Sequence, residues 1–315
     1  MEKCDLSVVI ISPDRGGLLA QSLSHLEQQS FPAARFEIVV VCYGPTANSR
    51  IQVQRFSEGS PVRTKWLWHH GENGVAARNL GLREASGRYV LFLDDDLVAA
   101  PALVREHVLE HQNGATPIAV AGVVKRHPQL PVHRLHRLFF SGERLREDRG
   151  AALGYLDWNI ANLSLPRQLL LDSGGFDEAL CYPHFDGADL GWRLKPENVQ
   201  LIENPRASGY VWNPVTFASE RNRHYARGYA LNGLVERTRS VEVLRRYPVV
   251  RSSLRHGLDA LAIRFYLQAC ERQEEDLRLF TSIYRRVFLF DLCSGYADRR
   301  RQRLPRLPVP EQTGQ

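Results

Sequence analysis

Apolar and polar positions alternate in blocks along this chain. LSVVIIS at residues 6–12, FEIVVVC at 36–42, RTKWLWHH at 63–70 and YVLFLDD at 89–95 are dominated by apolar residues, the pattern of strands buried on both faces. Between the first two, LLAQSLSHLEQQ sets Leu18, Leu19, Ser22, Leu23 and Leu26 on one helical face, and a further helix is predicted from about Val75 to Ala85. Strands alternating with helices predict an α/β fold with a mostly parallel sheet and helices on both faces. Ligands of such sheets bind beyond the carboxyl ends of the strands. That rule gathers Ser12 to Arg15, Cys42 to Gly44 and Asp94 to Asp96 along one rim.

After IAVAGVVKR the pattern is less regular. LGYLDWNIANLSLPRQLLLDSGGFDEAL reads as a strand, a short helix and a Gly-Gly turn. Beyond Val235 the spacing is helical to about Leu292. Two amphipathic helices are predicted there, the first with Leu254, Leu258, Leu261, Ile263, Phe265 and Leu267, the second from Leu277 to Phe290. The expected division is an α/β domain over 1–235, a helical region over 236–298 and a basic, Pro-rich, disordered tail over 299–315. The apolar faces of the C-terminal helices need a cover, which the first domain, a second copy of the chain or a membrane surface could supply.

Composition narrows the function classes. No run of about 18 apolar residues occurs, so no transmembrane helix is expected, and MEKCDLSVVI enters a strand without a signal-like segment. The expected location is therefore the cytoplasm, with the inner face of the membrane as the peripheral alternative. Cys4, Cys42, Cys181, Cys270 and Cys293 are odd in number and lack metal-ligand spacing, which suits reduced thiols. His127, His133 and His136 match no compact ligand set and read as surface or interface residues. The formal charge of +6 is concentrated late in the chain. Without interleaved aromatics it does not make a nucleic-acid surface.

One feature resists a purely structural account. The apolar run at Tyr89 ends in Asp94, Asp95 and Asp96, three like charges at one strand end. Asp96 could cap a helix near Pro101, but one cap explains one aspartate. A bound cation or a strong cluster of hydrogen-bond donors is the simplest compensation for the others.

Four motifs in order carry a resemblance. The opening LSVVIISPDR, the long block GENGVAARNLGLREASGRYVLFLDDD, the segment NLSLPRQLLLDSGGFDEAL and the acidic FDGADLGWRL resemble a family 2 glycosyltransferase of the GT-A fold, the inverting type that uses nucleotide sugars. The resemblance covers residues 5 to about 230. It implies that Asp96 binds Mg²⁺ or Mn²⁺ directly while Asp94 contacts the ribose or reaches the metal through water, with Asp95 as a support. It also implies that Arg78 meets the nucleotide or its phosphates, that Ser12, Pro13, Asp14 and Arg15 form the shelf beneath the base, and that Cys42 borders it. Gly81 would let its helix approach the sheet. Trp158 and Asn159 are candidates for lining the acceptor pocket, with a core role for the tryptophan as the even alternative.

Three positions depart from the family pattern. Cys42-Tyr43 stands where an acidic contact to the base is common, Gly187 stands at the usual base position, and Trp212-Asn213 stands where many relatives place a metal-binding histidine, with His224 out of register. Asp186 is then the first candidate for the general base and Asp189 the second, Asp189 also being a candidate N-cap. The expected partners are a nucleoside diphosphate sugar, UDP-linked first, and a glycan, lipid-linked saccharide or small-molecule acceptor. The alternative is a degenerate member that binds a nucleotide sugar or a protein without catalysis.

Overall fold

The computed structural model describes residues 4–13, 16–44, 49–114, 117–130, 153–180, 184–212, 216–247, 263, 266–267 and 281–303. Asp14, Arg15, His133, His136, Cys181, Asn213, Cys270 and most of the first C-terminal amphipathic stretch lie outside them. The chain divides into two compact units: Met1–Gln129 with Ala151–Cys181 and Asp186–Asn213, and Leu130–Gly150 with Tyr182–Phe185 and Pro214–Gln315.

The first unit is built on a sheet whose described strands are β1 (Leu6–Ser12), β2 (Phe36–Tyr43), β3 (Arg63–His69), β4 (Tyr89–Asp94), β5 (Leu97–Ala99), β6 (Ile118–Arg126), β7 (Asn162–Pro166) and β8 (Gln200–Val211), in the order β3-β2-β1-β4-β7-β6-β8-β5. Its helices are α1 (Gly16–Glu27), α2 (Ser49–Gly59), α3 (Gly74–Glu84), α4 (Leu103–Asn113), α5 (Arg167–Asp172) and α6 (Asp186–Arg193). Successive strand residues point to opposite faces, so each apolar run is shared between two cores. Val8, Ile10, Ile38, Val40 and Leu91 join Leu19 and Leu23 of α1 and Val104 of α4. Val9, Ile11, Val39, Val41 and Phe92 join Val75 and Leu82 of α3, Leu170 of α5 and Leu190 of α6. Burying one such side chain contributes roughly 1.5–3 kcal/mol, so a single polar replacement on β1 would unsettle one of the two layers.

β1, β2, β3 and β4 are parallel. β7 is antiparallel to both β4 and β6, so the sheet is mixed beyond β4. Register brings the expected rim together, Ser12 level with Cys42 and Ile11 level with Asp94. Gly81 takes the place read for it: a Cβ there would lie 2.5 Å from Val9 Cγ1 and 3.2 Å from Val41 Cγ2. The helix-capping role considered for Asp96 does not occur. The N-cap of α4 is Ala102, which makes no side-chain cap.

In the second unit the long helix α7 (Phe217–Thr238) starts at a capping box in which Thr216 accepts from the Ser219 amide and Ser219 reaches back to the Thr216 amide. This helix spans the boundary expected at residue 235. It is followed by α8 (Val241–Arg246) and α9 (Thr281–Arg300), the latter reaching two residues into the stretch expected as a tail. α7 covers the apolar face of α9: Phe217 meets Tyr284 and Phe288 with ring centroids 5.8 Å away in each case. The two helices touch backbone to backbone, because Gly228 faces the Leu292 carbonyl and Gly295 the Tyr225 carbonyl, with no room for a Cβ at either. Arg221 grips Asp291 with two hydrogen bonds of 3.0 and 3.2 Å. Burial lifts the Asp291 pKa to about 6 despite that pairing. Among the described residues no helix is long and apolar enough to cross a membrane.

Candidate active site

Asp94 ends β4, and Asp95 and Asp96 form the turn into β5. Backbone hydrogen bonds hold both ends of this turn: Asp94 N–H donates to the Ala161 carbonyl at 3.4 Å, and Trp212 N–H donates to the Asp96 carbonyl at 2.9 Å. The middle aspartate faces inward. Asp95 is 1% exposed; its Oδ2 accepts from Ser12 Oγ at 2.6 Å, and its carbonyl accepts from Ser22 Oγ at 2.7 Å. At 2.6 Å the Ser12 bond lies at the short end of O–H to oxygen hydrogen bonds. Of the three like charges, the middle one is anchored by donors, while Asp94 closes β4 and Asp96, 8% exposed, lies in the turn that follows. Ser22 was visible in the sequence as a polar residue on the apolar face of α1, a signal of a buried partner.

The base shelf is described only in part. Ser12 is fully buried and committed to Asp95, and Pro13 is exposed. Cys42 is fully buried in the core with Val40 and Leu91. The next residue, Tyr43, reaches the first turn of α3, its Oη 3.0 Å from where a Gly74 Cβ would be.

α3 carries the Ala-Arg-Asn-x-Gly element, and each of its polar residues has a distinct partner. Asn73 caps the helix, accepting from the Val75 and Ala76 amides while donating to the Glu178 carbonyl at 2.9 Å. Asn79 donates to the Phe176 carbonyl at 2.8 Å and accepts from the Phe176 amide at 2.8 Å. This fixes the turn at Gly174 and Gly175, whose φ values of 79° and 71° need glycine. Arg78, expected at the nucleotide, is 4% exposed and donates Nη1–H to Asp186 Oδ2, with its guanidinium 5.4 Å from the Phe176 ring.

Asp186 opens α6. Its Oδ1 accepts from the Gly187 amide at 3.1 Å, and the residue is 3% exposed. Gly187 has a structural cause: a Cβ there would run into the Trp158 carbonyl and lie 2.9 Å from Ile160 Cγ1. Gly191, one turn on, admits the Trp158 ring, which a Cβ would meet at 2.7 Å. Trp158 is thus packed beneath α6 at 6% exposure, while Asn159 is exposed and accepts from the Ala161 amide. Asp189 is not the N-cap of α6 but sits in its first turn, fully buried, with Arg193 Nε 2.8 Å from its Oδ2. Burial raises the Asp189 pKa, Arg193 opposes the rise and the neighbouring Asp186 charge adds to it. Arg193 also donates to the Ser173 and Gly175 carbonyls, so Asp189 braces the Gly-Gly turn.

Trp212, at the position where a histidine was expected, packs on the His127 ring with centroids 3.9 Å apart. His127 thus lies within the first unit near the backbone partner of Asp96. His224 belongs to α7 of the second unit, where its Nδ1 donates to the Glu220 carbonyl at 2.8 Å. Among the described residues, no group of three or more His, Cys, Asp or Glu side chains could by itself hold a metal ion.

The sequence of residues 7–169 matches the model for glycosyl transferase family 2. The chain belongs to that family. As a family 2 glycosyltransferase it is 28% identical over 229 residues to the validoxylamine A glucosyltransferase of Streptomyces hygroscopicus subsp. jinggangensis, covering 65% of this chain and 54% of that protein. The chain therefore spans about half the length of that curated relative. It is also 28% identical over 108 residues to the poly(ribitol-phosphate) beta-N-acetylglucosaminyltransferase TarS of Staphylococcus aureus, over 32% of this chain and 19% of that one. Among solved structures, the mannosyltransferase PcManGT from Pyrobaculum calidifontis, in complex with GDP-Man and Mn²⁺, shares its fold with a TM-score of 0.64 at 17% identity, over 95% of this chain and 87% of that chain. TarS 1–349 from S. aureus in complex with UDP gives a TM-score of 0.56 at 14% identity, over 98% and 94%. These likenesses make the first unit of the glycosyltransferase a GT-A fold.

Proposed function

We propose that this glycosyltransferase is an inverting, metal-dependent enzyme that moves a sugar from a nucleoside diphosphate donor to a hydroxyl of a glycan, lipid-linked saccharide or small metabolite. The observation that carries the reading is the aspartate turn, in which Asp95 is tied down by Ser12 and Ser22 so that Asp94 and Asp96 are held at the rim of the parallel strands. Their hard carboxylate oxygens fit Mg²⁺ or Mn²⁺, with phosphate and water completing the ligand set. A divalent cation at Asp94 and Asp96 would neutralise the diphosphate as it leaves. PcManGT in complex with GDP-Man and Mn²⁺ and TarS in complex with UDP support a nucleotide-sugar partner and a divalent metal.

On the acceptor side the base is Asp186. The acceptor O–H gives its proton to the Asp186 carboxylate as its oxygen bonds to the anomeric carbon. The bond from that carbon to the diphosphate oxygen breaks on the opposite face, and the nucleoside diphosphate leaves with the electron pair. Asp186 is preferred to Asp189 because both pair with an arginine but Asp189 has no exposed surface, whereas Asp186 keeps 3% at the start of the helix. The close approach of the Trp158 carbonyl to Gly187 explains why no carboxylate occupies position 187. The reading carries a cytoplasmic location, with the inner face of the membrane as the peripheral alternative.

A thermal-shift screen of UDP-, GDP- and dTDP-sugars with Mn²⁺ tests the donor side, since a ligand of the folded state raises the melting temperature. Asp96→Ala is expected to abolish both the metal-dependent shift and transfer while keeping the fold. Undiminished transfer in that variant, or in EDTA, would overturn the assignment. A wild-type protein that binds a donor and neither hydrolyses nor transfers it would be the non-catalytic binder instead.

A further inference from the structure

We propose that Arg78 is a positioning residue for the carboxylate of Asp186 and not a ligand of the donor phosphates; the inference rests on the reading of Asp186 as the general base. Arg78 and Asp186 are 108 positions apart in sequence, and their side chains are joined at 4% and 3% exposure. A guanidinium that turned to a diphosphate would leave a buried carboxylate without its counter-charge, which is among the costlier losses a protein interior can suffer. One face of the guanidinium is also covered, its carbon lying 5.4 Å from the centre of the Phe176 ring.

That ring is itself fixed. Phe176 is 2% exposed, meets Phe92 of β4 edge to face at 5.0 Å, and has both backbone polar groups bonded to Asn79. Arg78 and Asn79, neighbours on α3, therefore hold two different points of the acceptor side, one at the carboxylate and one at the turn before it. On the Asp186 side, Oδ2 takes the Arg78 bond and Oδ1 takes the Gly187 amide. Two fixed donors set the plane of the carboxylate, which leaves its remaining lone pairs in one orientation for the acceptor proton. Arginine suits this task because its planar fork keeps its direction, whereas a lysine at the same place supplies charge without orientation.

The test uses the full-length chain with Arg78→Lys, Arg78→Gln, Asp186→Asn and the double variant Arg78→Lys/Asp186→Asn. Nucleotide affinity is measured calorimetrically with UDP and with GDP in the presence of Mn²⁺, and turnover is measured at saturating donor. A positioning role predicts nucleotide affinity within about twofold of wild type in Arg78→Lys, turnover lowered by about 10-fold or more, and a double variant no slower than Asp186→Asn, because residues acting as a unit are not additive. Arg78→Lys keeps the charge if Arg78→Gln fails to fold. Nucleotide affinity weakened about tenfold or more with saturated turnover intact, or losses that multiply in the double variant, would return Arg78 to the phosphates and overturn the proposal. Full turnover in Asp186→Asn would instead remove the base assignment and this inference with it, an outcome told apart from the phosphate-ligand result by unchanged nucleotide affinity in the Arg78 variants.

Discussion

Acid should loosen the first unit by a mechanism that can be followed residue by residue. His107 and His111 of α4 sit behind the sheet, His107 fully buried and His111 7% exposed. Asn162 Oδ1 can only accept, so His107 Nε2, 2.9 Å away, carries the proton; His107 Nδ1 then accepts from Ser164 Oγ at 2.8 Å, and Ser164 Oγ in turn accepts from His111 Nε2 at 2.7 Å. The chain of bonds is complete with both rings neutral, and a proton added at His107 Nδ1 would displace the serine. Burial holds the His107 pKa down at about 4 and that of His111 at about 3, the His107 and Arg88 charges adding to the latter. An unfolded chain, with imidazoles near 6.5, takes up these protons first, so stability is present above that value and falls with pH until the folded values are reached. Between pH 7 and pH 5 the difference amounts to ~2 kcal/mol for each histidine. Other groups facing this cluster are Tyr89, stacked on His111 at 4.3 Å, and Glu106 and Glu110, already engaged with Arg206 and Asn204. Asp291, with its pKa raised to about 6, works in the opposite direction from the second unit. All five tryptophans, at 66, 68, 158, 192 and 212, lie in the first unit, so urea unfolding followed by tryptophan fluorescence reports on that unit. His107→Gln should lose about 2 kcal/mol of the wild-type pH dependence between pH 7 and pH 5, whatever its stability at pH 7. An unchanged slope in that variant would refute the argument.

Other perturbations have equally direct readouts. Gly187→Ala forces a methyl against the Trp158 carbonyl and should cost about 1–3 kcal/mol, visible as a lowered urea midpoint. Asp291→Ala leaves the Arg221 guanidinium buried and should destabilise the second unit by about 3–5 kcal/mol, measured by the loss of helical circular dichroism on heating. Ser12→Ala removes the donor to Asp95 and should cost about 1–3 kcal/mol while weakening Mn²⁺-dependent donor binding; unaltered binding would mean that the turn holds its shape without that bond. Asp189→Asn should lower thermal stability through the Arg193 contact and leave turnover at saturation within about threefold of wild type, whereas a loss approaching 10²–10⁴ would move the base to that residue.

The parallel half of the sheet could be read directly, because β1, β2 and β4 are apolar on both faces and this pattern leaves little else to predict. The antiparallel insertion of β7 between β4 and β6 could not be, since a short half-apolar segment such as NLSLP carries no sign of its neighbours. α7 also escaped notice, although Thr216 and Ser219 form a recognisable cap, because Glu220, Arg221 and Asn232 interrupt its buried face. At the site, the inward tie of the aspartate triplet was legible from local chemistry, and the close approach at Gly81 followed from the family resemblance. The pairing of Arg78 with Asp186 and the blocking of position 187 by the Trp158 carbonyl depend on contacts between distant segments, which spacing along the chain does not record.

α3 has one consequence for how such an enzyme can change. The match to the family model ends at residue 169, before the Gly-Gly turn and before Asp186, yet Arg78 and Asn79 reach from inside that match to both. An acceptor segment transplanted from another member would therefore have to present a carboxylate to Arg78 and a bent backbone with a free carbonyl and amide to Asn79. A graft lacking either would leave a buried cation or an unsatisfied amide in the recipient, however well it suited the new acceptor. Recombination between relatives is thus constrained at these two mating points, in addition to the packing of Phe176 on Phe92 and the Asn73 bond to the Glu178 carbonyl.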